Sequence, residues 1–345
     1  MPRFVAGHRA RARPGGPPPG TPVGPAVNAV LLINPRSGGE TARRVGLAQE
    51  CRARGIEPVV LQPGEQLVAR AEAAVAGGAD VIGMAGGDGS LALVAAVAAR
   101  HQVPMVVVPA GTRNHLAMDL GLDRADVLGA LDAYGAAVER AVDLGDVNGR
   151  AFVNNVSLGL YAEIIRSPAY RDAKLETTLS ALPGLLGPGS APFHLRFTDP
   201  AGKQHTRAHL VQVSNNRYGR TVRSLASRPR LDSGRLGVIT LELPEGPPDP
   251  ALLAALSAGR PERFPGFTAW EARTFEVDSG DLIHAGIDGE AVRMSPPLQC
   301  TIRPGALRIR LPQHASGLSP AARELRRRAR LRGLLRSSQR ASGTP

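Results

Sequence analysis

Short apolar runs and amphipathic stretches alternate along the first third of the chain. "AVNAVLLIN" (26–34), "EPVVLQ" (57–62), "ADVIGMA" (79–85) and "VPMVVVPA" (103–110) are apolar and lack polar alternation. That pattern predicts strands buried on both faces. Between them, residues 41–54, 66–76 and 91–101 place apolar residues at helical spacing, with Gly55 set to end the first helix. A fourth amphipathic stretch, 123–141, predicts another helix, N-capped by Asp123. Strands alternating with helices in this way imply a doubly wound parallel sheet covered on both faces.

After Asp143 the pattern changes. "GRAFVNNVSLGL", "PFHLRFTD", "RAHLVQVSN", "LGVITLEL", "ARTFEVDS" and "CTIRPGALRIRLP" read as strands separated by turn residues rather than by regular helices. Two helical stretches stand apart, 170–186 and 319–336. The fold class expected is α/β plus all-β: a doubly wound unit followed by an antiparallel β-sandwich. The divisions expected are a disordered Pro/Gly/Arg-rich leader (1–25), an α/β domain (26–145), a sandwich (146–312) and a basic C-terminal helix (313–345).

Composition adds a charge and removes some classes. The 345 residues carry a net charge of +12, almost all from arginine, since only Lys174 and Lys203 are lysines. The excess gathers at the two ends and fits a phosphorylated substrate or an anionic lipid surface. Aromatic stacking motifs are missing, so nucleic acid is not expected as a partner. Two cysteines, Cys51 and Cys300, lie outside any CxxC or Cys/His cluster, which argues for a reducing compartment and against structural zinc. The first residues lack the central apolar segment of a secretory signal, and no apolar run approaches the ~20 residues of a membrane span.

The chemistry is expected where loops leave the carboxyl ends of the parallel strands. Three glycine-bearing loops do so: "NPRSGG" after the first strand, "GGDGS" after the third and "PAGTRNH" after the fourth. Glycines let backbone N–H groups face an anion, Ser37, Ser90 and Thr112 add hydroxyls, and Ser90 opens a helix. Neither GxxxxGK[ST] nor GxGxxG is present. Asp88, between Gly87 and Gly89, sits oddly in a cradle for phosphate unless the phosphate arrives with a metal. Later, "HAGIDGEAV" holds Asp288 and Glu290 either side of Gly289. This spacing alone fits an exposed hairpin turn as well as a pair of working carboxylates.

"NPRSGG", "GGDGSL", "PAGTRNHLAMDLGL" and "IDGE", in this order, resemble the diacylglycerol kinase catalytic-domain family over about residues 27–312. The family includes bacterial lipid kinases, sphingosine kinases and ceramide kinases, and is distantly similar to NAD kinases. The resemblance implies an NAD-kinase-like nucleotide domain followed by the sandwich, with ATP and Mg²⁺ as cofactors. Residue by residue, it carries ATP contact to Asn34, Pro35, Arg36, Ser37 and Gly38, to Gly86, Gly87, Asp88, Gly89, Ser90, Leu91 and Ala92, and to Thr112 and Asn114. It implies Asp288 as general base and Glu290 as Mg²⁺ ligand or orienter, with Asp88 as a further metal organiser. A second, structural Mg²⁺ is implied at Asp232 and Leu236, but "RLDSGRL" has Ser233 where relatives have a carboxylate. Arg220, Thr221 and Tyr161 also depart from the family pattern near the acceptor side.

The implied activity is transfer of the γ-phosphoryl of ATP to a hydroxyl of diacylglycerol or a related lipid. A sphingoid base, phosphatidylglycerol or a polyprenol are alternative acceptors, and a nucleotide-binding regulator without turnover is the alternative of another class. The expected location is cytoplasmic with peripheral membrane contact, and relatives suggest a homodimer. In the tail, Arg326, Arg327, Arg328, Arg330, Arg332 and Arg336 interleave with Leu325, Leu331, Leu334 and Leu335. Such a helix either rests on anionic lipid or packs its leucines on the first domain. His205 and His209 read as strand residues too far apart to share a metal, and Trp270 as a packing residue.

Overall fold

The computed structural model describes residues 20–35, 46–160, 162, 192–219, 227–243, 250–257 and 260–341. The first part runs β1 (Thr21–Val23), β2 (Ala29–Ile33), α1 (Leu47–Ala53), β3 (Ile56–Val60), α2 (Leu67–Ala76), β4 (Val81–Gly86), α3 (Asp88–His101), β5 (Met105–Pro109) and α4 (His115–Asp119). A 3₁₀ turn at Gly129–Tyr134 leads into β6 (Ala137–Val147), β7 (Arg150–Phe152) and β8 (Asn155–Gly159). Then come β9 (Phe197–Thr198), β10 (Gln204–His205), β11 (Leu210–Asn215), β12 (Leu236–Leu241) and α5 (Pro250–Ser257). The chain closes with β13 (Phe267–Ala272), β14 (Thr274–Val277), β15 (Ile283–Ile287), β16 (Glu290–Met294), β17 (Leu298–Pro312) and α6 (Pro320–Ala341). The helix expected over 170–186 lies outside the described residues, as does the start of the one expected over 41–54.

Strands β3, β2, β4 and β5 are adjacent and parallel, and every residue of β2, β4 and β5 is buried. Side chains alternate across such a sheet. Ala29, Leu31 and Ile33 therefore meet Leu47 and Cys51 of α1 on one face. Val30 and Leu32 meet Leu91, Val94 and Ala98 of α3 on the other. Alanine-rich helices pack closely on this sheet, so the scarcity of aromatics costs the core little.

Two differences from the sequence reading matter. The stretch 123–141 is not one helix. Asp123 caps only a local turn, accepting from Ala125 N at 2.9 Å, and after Gly135 the chain becomes β6. Strand pairing of β6 with β17 overrides the local helical pattern. Thr21–Val23, inside the stretch read as leader, pairs antiparallel with β6.

The second difference is that the two halves share strands. The sandwich face is the antiparallel sheet β13-β12-β11-β8-β15-β16. Its partner layer comes from β6, β7, β14 and β17, which belong to the first sheet. Strand β17 lines the sandwich core with Leu298, Cys300 and Ile302, shifts register between Arg303 and Leu307, then pairs parallel with β5. Trp270 packs edge-on to Phe275 in that core, 5.6 Å between ring centres.

Asp143 sits at the corner where both long strands cross between the halves. Its buried carboxylate accepts from Gly305 N (2.9 Å) at the β17 bulge, from Gly234 N (2.6 Å) and from Asn216 Nδ2 (2.8 Å). Asp143→Ala removes the shared acceptor of one buried and two partly buried donors and should cost about 2 kcal/mol or more in urea denaturation, with Asp143→Asn recovering part of it.

Candidate active site

The second and third loops predicted at the carboxyl edge converge with the start of the first, because β2, β4 and β5 are parallel neighbours. Asn34 follows β2: its N–H donates to Ala85 O at 3.0 Å, and its Nδ2 donates to Ser90 Oγ at 3.0 Å. Gly87 precedes α3, and Gly86 ends β4. The third loop crosses so near that a Cβ on Gly111 would lie 2.4 Å from Gly87 Cα. Asn114 fixes this loop from a left-handed conformation (φ 51°): Oδ1 accepts from Gly111 N at 2.9 Å and Nδ2 donates to Gly111 O at 2.7 Å. Thr112 is exposed beside it, Pro35 lies in the turn after Asn34, and Leu91 and Ala92 are core side chains whose contribution to the loop is backbone. Arg36, Ser37 and Gly38 lie outside the described residues.

Asp88 has a task the sequence did not disclose. It is buried at the first turn of α3, and its two oxygens accept the N–H groups of His115 (3.0 Å) and Leu116 (3.1 Å). The acid in the second loop thus closes the start of α4 and locks the third loop to it. This explains a carboxylate within a glycine cradle without any metal.

Asp288 and Gly289 form the two-residue turn joining β15 and β16, with φ of 49° and 87° and Ile287 opposite Glu290. "IDGE" is thus a tight hairpin turn, and its carboxylate is engaged. The Asp288 carboxylate accepts from Val153 N (2.8 Å), Asn154 N (2.8 Å) and Asn155 N (3.0 Å). Burial pushes its pKa up to about 7; the three N–H groups oppose the shift and the nearby Asp88 charge adds to it. Glu290 reaches across to the second loop, where a Cβ on Gly89 would lie 2.3 Å from Glu290 Oε1. The Glu290 side chain is 50% exposed and is held by Arg150 at 2.8 Å.

Beneath this turn lies a charge that sequence reasoning missed. Arg228 and Asp119 are both fully buried, with Nε 2.6 Å from Oδ2. Arg228 Nη1 donates to Val153 O (2.5 Å) and Asn215 O (2.8 Å), and Nη2 donates to Asn154 Oδ1 (2.7 Å). Asp119 also accepts from Ser227 Oγ (2.8 Å) and Arg228 N (3.0 Å). No pattern in "LASRPRL" or "AMDLGL" marks these two as partners, since they are 109 residues apart.

The expected metal ligands can be tested against these contacts. Among the described residues, no cluster of three or more His, Cys, Asp or Glu could hold a metal ion. Mg²⁺ carried on a nucleotide needs only one or two carboxylates. Glu290, half exposed and against Gly89, fits that need; both oxygens of Asp88 already hold backbone N–H groups. Asp232 accepts from Arg230 Nε at 3.0 Å, and Leu236 is a buried β12 residue. The turn between them is held through Asp143. Arg220, Thr221 and Tyr161 lie outside the described residues. His205 stacks on Phe197 at 4.8 Å, while His209 is buried and its Nδ1 accepts from Leu243 N.

Known proteins share sequence and fold with this chain. The family model "Diacylglycerol kinase catalytic domain" matches residues 28–147. A protein of Pseudomonas aeruginosa named "Probable lipid kinase YegS-like" is 29% identical over 307 residues, covering 86% of this chain and 97% of the relative. The diacylglycerol kinase of Bacillus subtilis is 37% identical over 105 residues, 30% of this chain and 34% of that protein. A solved structure of a candidate diacylglycerol kinase from Bacillus anthracis aligns with a TM-score of 0.60 at 18% identity, covering 82% of this chain and 96% of that one. A diacylglycerol kinase structure from the same organism aligns at 0.53 and 17% identity, covering 84% and 98%. These structures share the fold: a mixed α/β sheet and an antiparallel sandwich.

The Asp288 environment has a consequence for stability. Between the ordinary value of 3.8 and about 7, the folded protein holds a proton that the unfolded chain has lost. Stability should therefore fall as pH rises from about 4 to about 7, and this contribution should level off above that window. Thermal melts of the wild type against Asp288→Asn should show the difference; a pH-independent gap would contradict it.

Proposed function

We propose that this chain, whose residues 28–147 match the diacylglycerol kinase catalytic domain model, transfers the γ-phosphoryl group of ATP to a hydroxyl of a diacylglycerol-class lipid. The observation that carries the reading is the meeting of two elements remote in sequence. The β15–β16 turn lays the Glu290 carboxylate against the Gly86–Ser90 loop, where a Cβ on Gly89 would meet Glu290 Oε1 at 2.3 Å, and sets Asp288 near enough to Asp88 for their charges to interact.

The roles follow from the surroundings. Phosphate oxygens are favoured at the start of α3, where first-turn N–H groups and the helix dipole meet. Asn34 and Ser90 tie the first loop to that helix, and Asn114 holds the third loop against Gly87. Asp288 suits a general base: a pKa near 7 leaves it able to take the proton of a lipid hydroxyl at neutral pH as the phosphoryl group departs. Its three N–H contacts hold the carboxylate in one orientation. Mg²⁺ bound with ATP would offset phosphate charge, and Glu290 is the side chain placed to hold it.

The C-terminal helix supports contact with a lipid surface. Ala321 and Ala322 are buried and Ser319 Oγ accepts from Ala322 N at 3.0 Å, so α6 is anchored at its start. Beyond that turn Arg326, Arg327, Arg328 and Arg330 are exposed, and Leu325 and Leu331 are 45% and 51% exposed rather than packed on the first domain. An anionic bilayer supplies both the charge and the apolar boundary such a segment suits. None of the described helices is long and apolar enough to cross a membrane.

The decisive assay is incubation with γ-labelled ATP and Mg²⁺ and a panel of diacylglycerol, phosphatidylglycerol, sphingoid base and polyprenol in mixed micelles. Labelled phosphatidic acid is expected; label in another lipid would reassign the acceptor, and label in none would leave a nucleotide-binding protein without turnover. Asp288→Asn should lower turnover about 100-fold or more with the fold intact. In vesicle sedimentation, Arg326→Ala/Arg327→Ala/Arg330→Ala should weaken binding to anionic vesicles about 100-fold, at about 1 kcal/mol per basic side chain. Binding that ignores both this variant and added salt would remove α6 from the role.

A further inference from the structure

Arg228 is a guanidinium with no access to water, and each of its bonds ends on a segment that matters to the site. Nε meets Asp119, the last residue of α4. The first turn of α4 donates its N–H groups to Asp88 in the second loop. Nη1 and Nη2 meet Val153 O and the Asn154 side chain. The N–H groups of those two residues, with that of Asn155, seat Asp288. Asn155 is further restrained through Nδ2 to Tyr218 Oη at 3.1 Å, and the Tyr218 ring lies 5.7 Å from the Arg228 guanidinium carbon. A continuous set of contacts therefore runs from the nucleotide loop to the acceptor-side carboxylate: Asp88, α4, Asp119, Arg228, residues 153–155, Asp288.

We propose that Arg228 is a positioning residue for phosphoryl transfer, which with Asp119 holds the N–H cradle of Asp288 in register with the Asp88 loop. This rests on the assignment of Asp288 as the base. The planar fork is what the task requires. An aliphatic pair could fill the same volume, and a lysine could neutralise Asp119. Neither could bind Asp119, two carbonyls and an amide oxygen in fixed directions at once. A misplacement of the base by about 1 Å is enough to reduce transfer about 100-fold.

The test separates holding the site from holding the fold. Buried ion pairs replaced by apolar residues of similar volume commonly fold as well or better, so Asp119→Leu/Arg228→Met removes the tether while the core stays filled. With the four-lipid micelle panel, this variant should lose about 100-fold in kcat while its KM for ATP and its binding of a non-hydrolysable ATP analogue stay near wild type. Hydrogen exchange at the amides of residues 153–155 should quicken by about tenfold. Arg228→Lys, which retains the charge opposite Asp119, should show the same kcat loss and the same faster exchange, and it decides the matter if the double variant does not fold. A folded variant with wild-type kcat, or with unchanged exchange at 153–155, overturns the proposal. Asp288→Asn in the same assay isolates the underlying reading: if it turns over normally, the base assignment fails, and the exchange measurement still judges the tether.

Discussion

A guanidinium removed from water tolerates very few surroundings. Arg228 is charged and fully buried, and burial alone would drive its pKa down; the Asp119 carboxylate more than offsets this and holds it raised. Such a pair contributes little net stability compared with a hydrocarbon filling, because both partners have given up hydration. Its effect is to restrict geometry. Every polar hydrogen must find an acceptor at a defined angle, so the end of α4, the carbonyls of Val153 and Asn215 and the side chain of Asn154 have one arrangement that satisfies it. Those groups lie between the nucleotide loops and the carboxylate proposed to act on the acceptor.

The same concern for register appears in the backbone. Strands β6 and β17 pass through both halves, so the sandwich cannot drift relative to the parallel sheet without breaking their pairing. Asp143 secures the corner where the register of β17 shifts, binding Gly305, Gly234 and Asn216 together. The Asp143 carboxylate is thus the polar centre of this corner.

Acidic residues do unlike work depending on what surrounds them. Asp88 and Asp288 each accept backbone N–H groups; desolvation drives the pKa of Asp288 up to about 7. Glu290 remains half exposed and near the loop, as a donor to a nucleotide-borne cation should be. Three carboxylates in two short motifs thus occupy three different settings: a clamp between loops, a turn seated on backbone N–H groups and a half-exposed side chain.

The sequence by itself determined the class of fold, since unbroken apolar runs such as "AVLLI" and "MVVVP" admit little besides buried parallel strands. It also determined the edge at which the site lies, because loops that follow parallel neighbouring strands must open on one side. It pointed to Asp288, Glu290 and the second and third glycine loops, which the structure brings together. It misjudged 123–141, where amphipathic periodicity is equally served by a 3₁₀ turn and a strand once β17 is available as a partner. Only the tertiary structure decided that Asp88 binds His115 and Leu116, that the DG turn is packed against residues 153–155, and that Asp119 meets Arg228. The reason is physical: periodicity and turn chemistry are local and leave a trace along the chain. A buried charge is matched to its partner through space, and nothing in the spacing of "MDL" and "SRP" records the distance at which they meet.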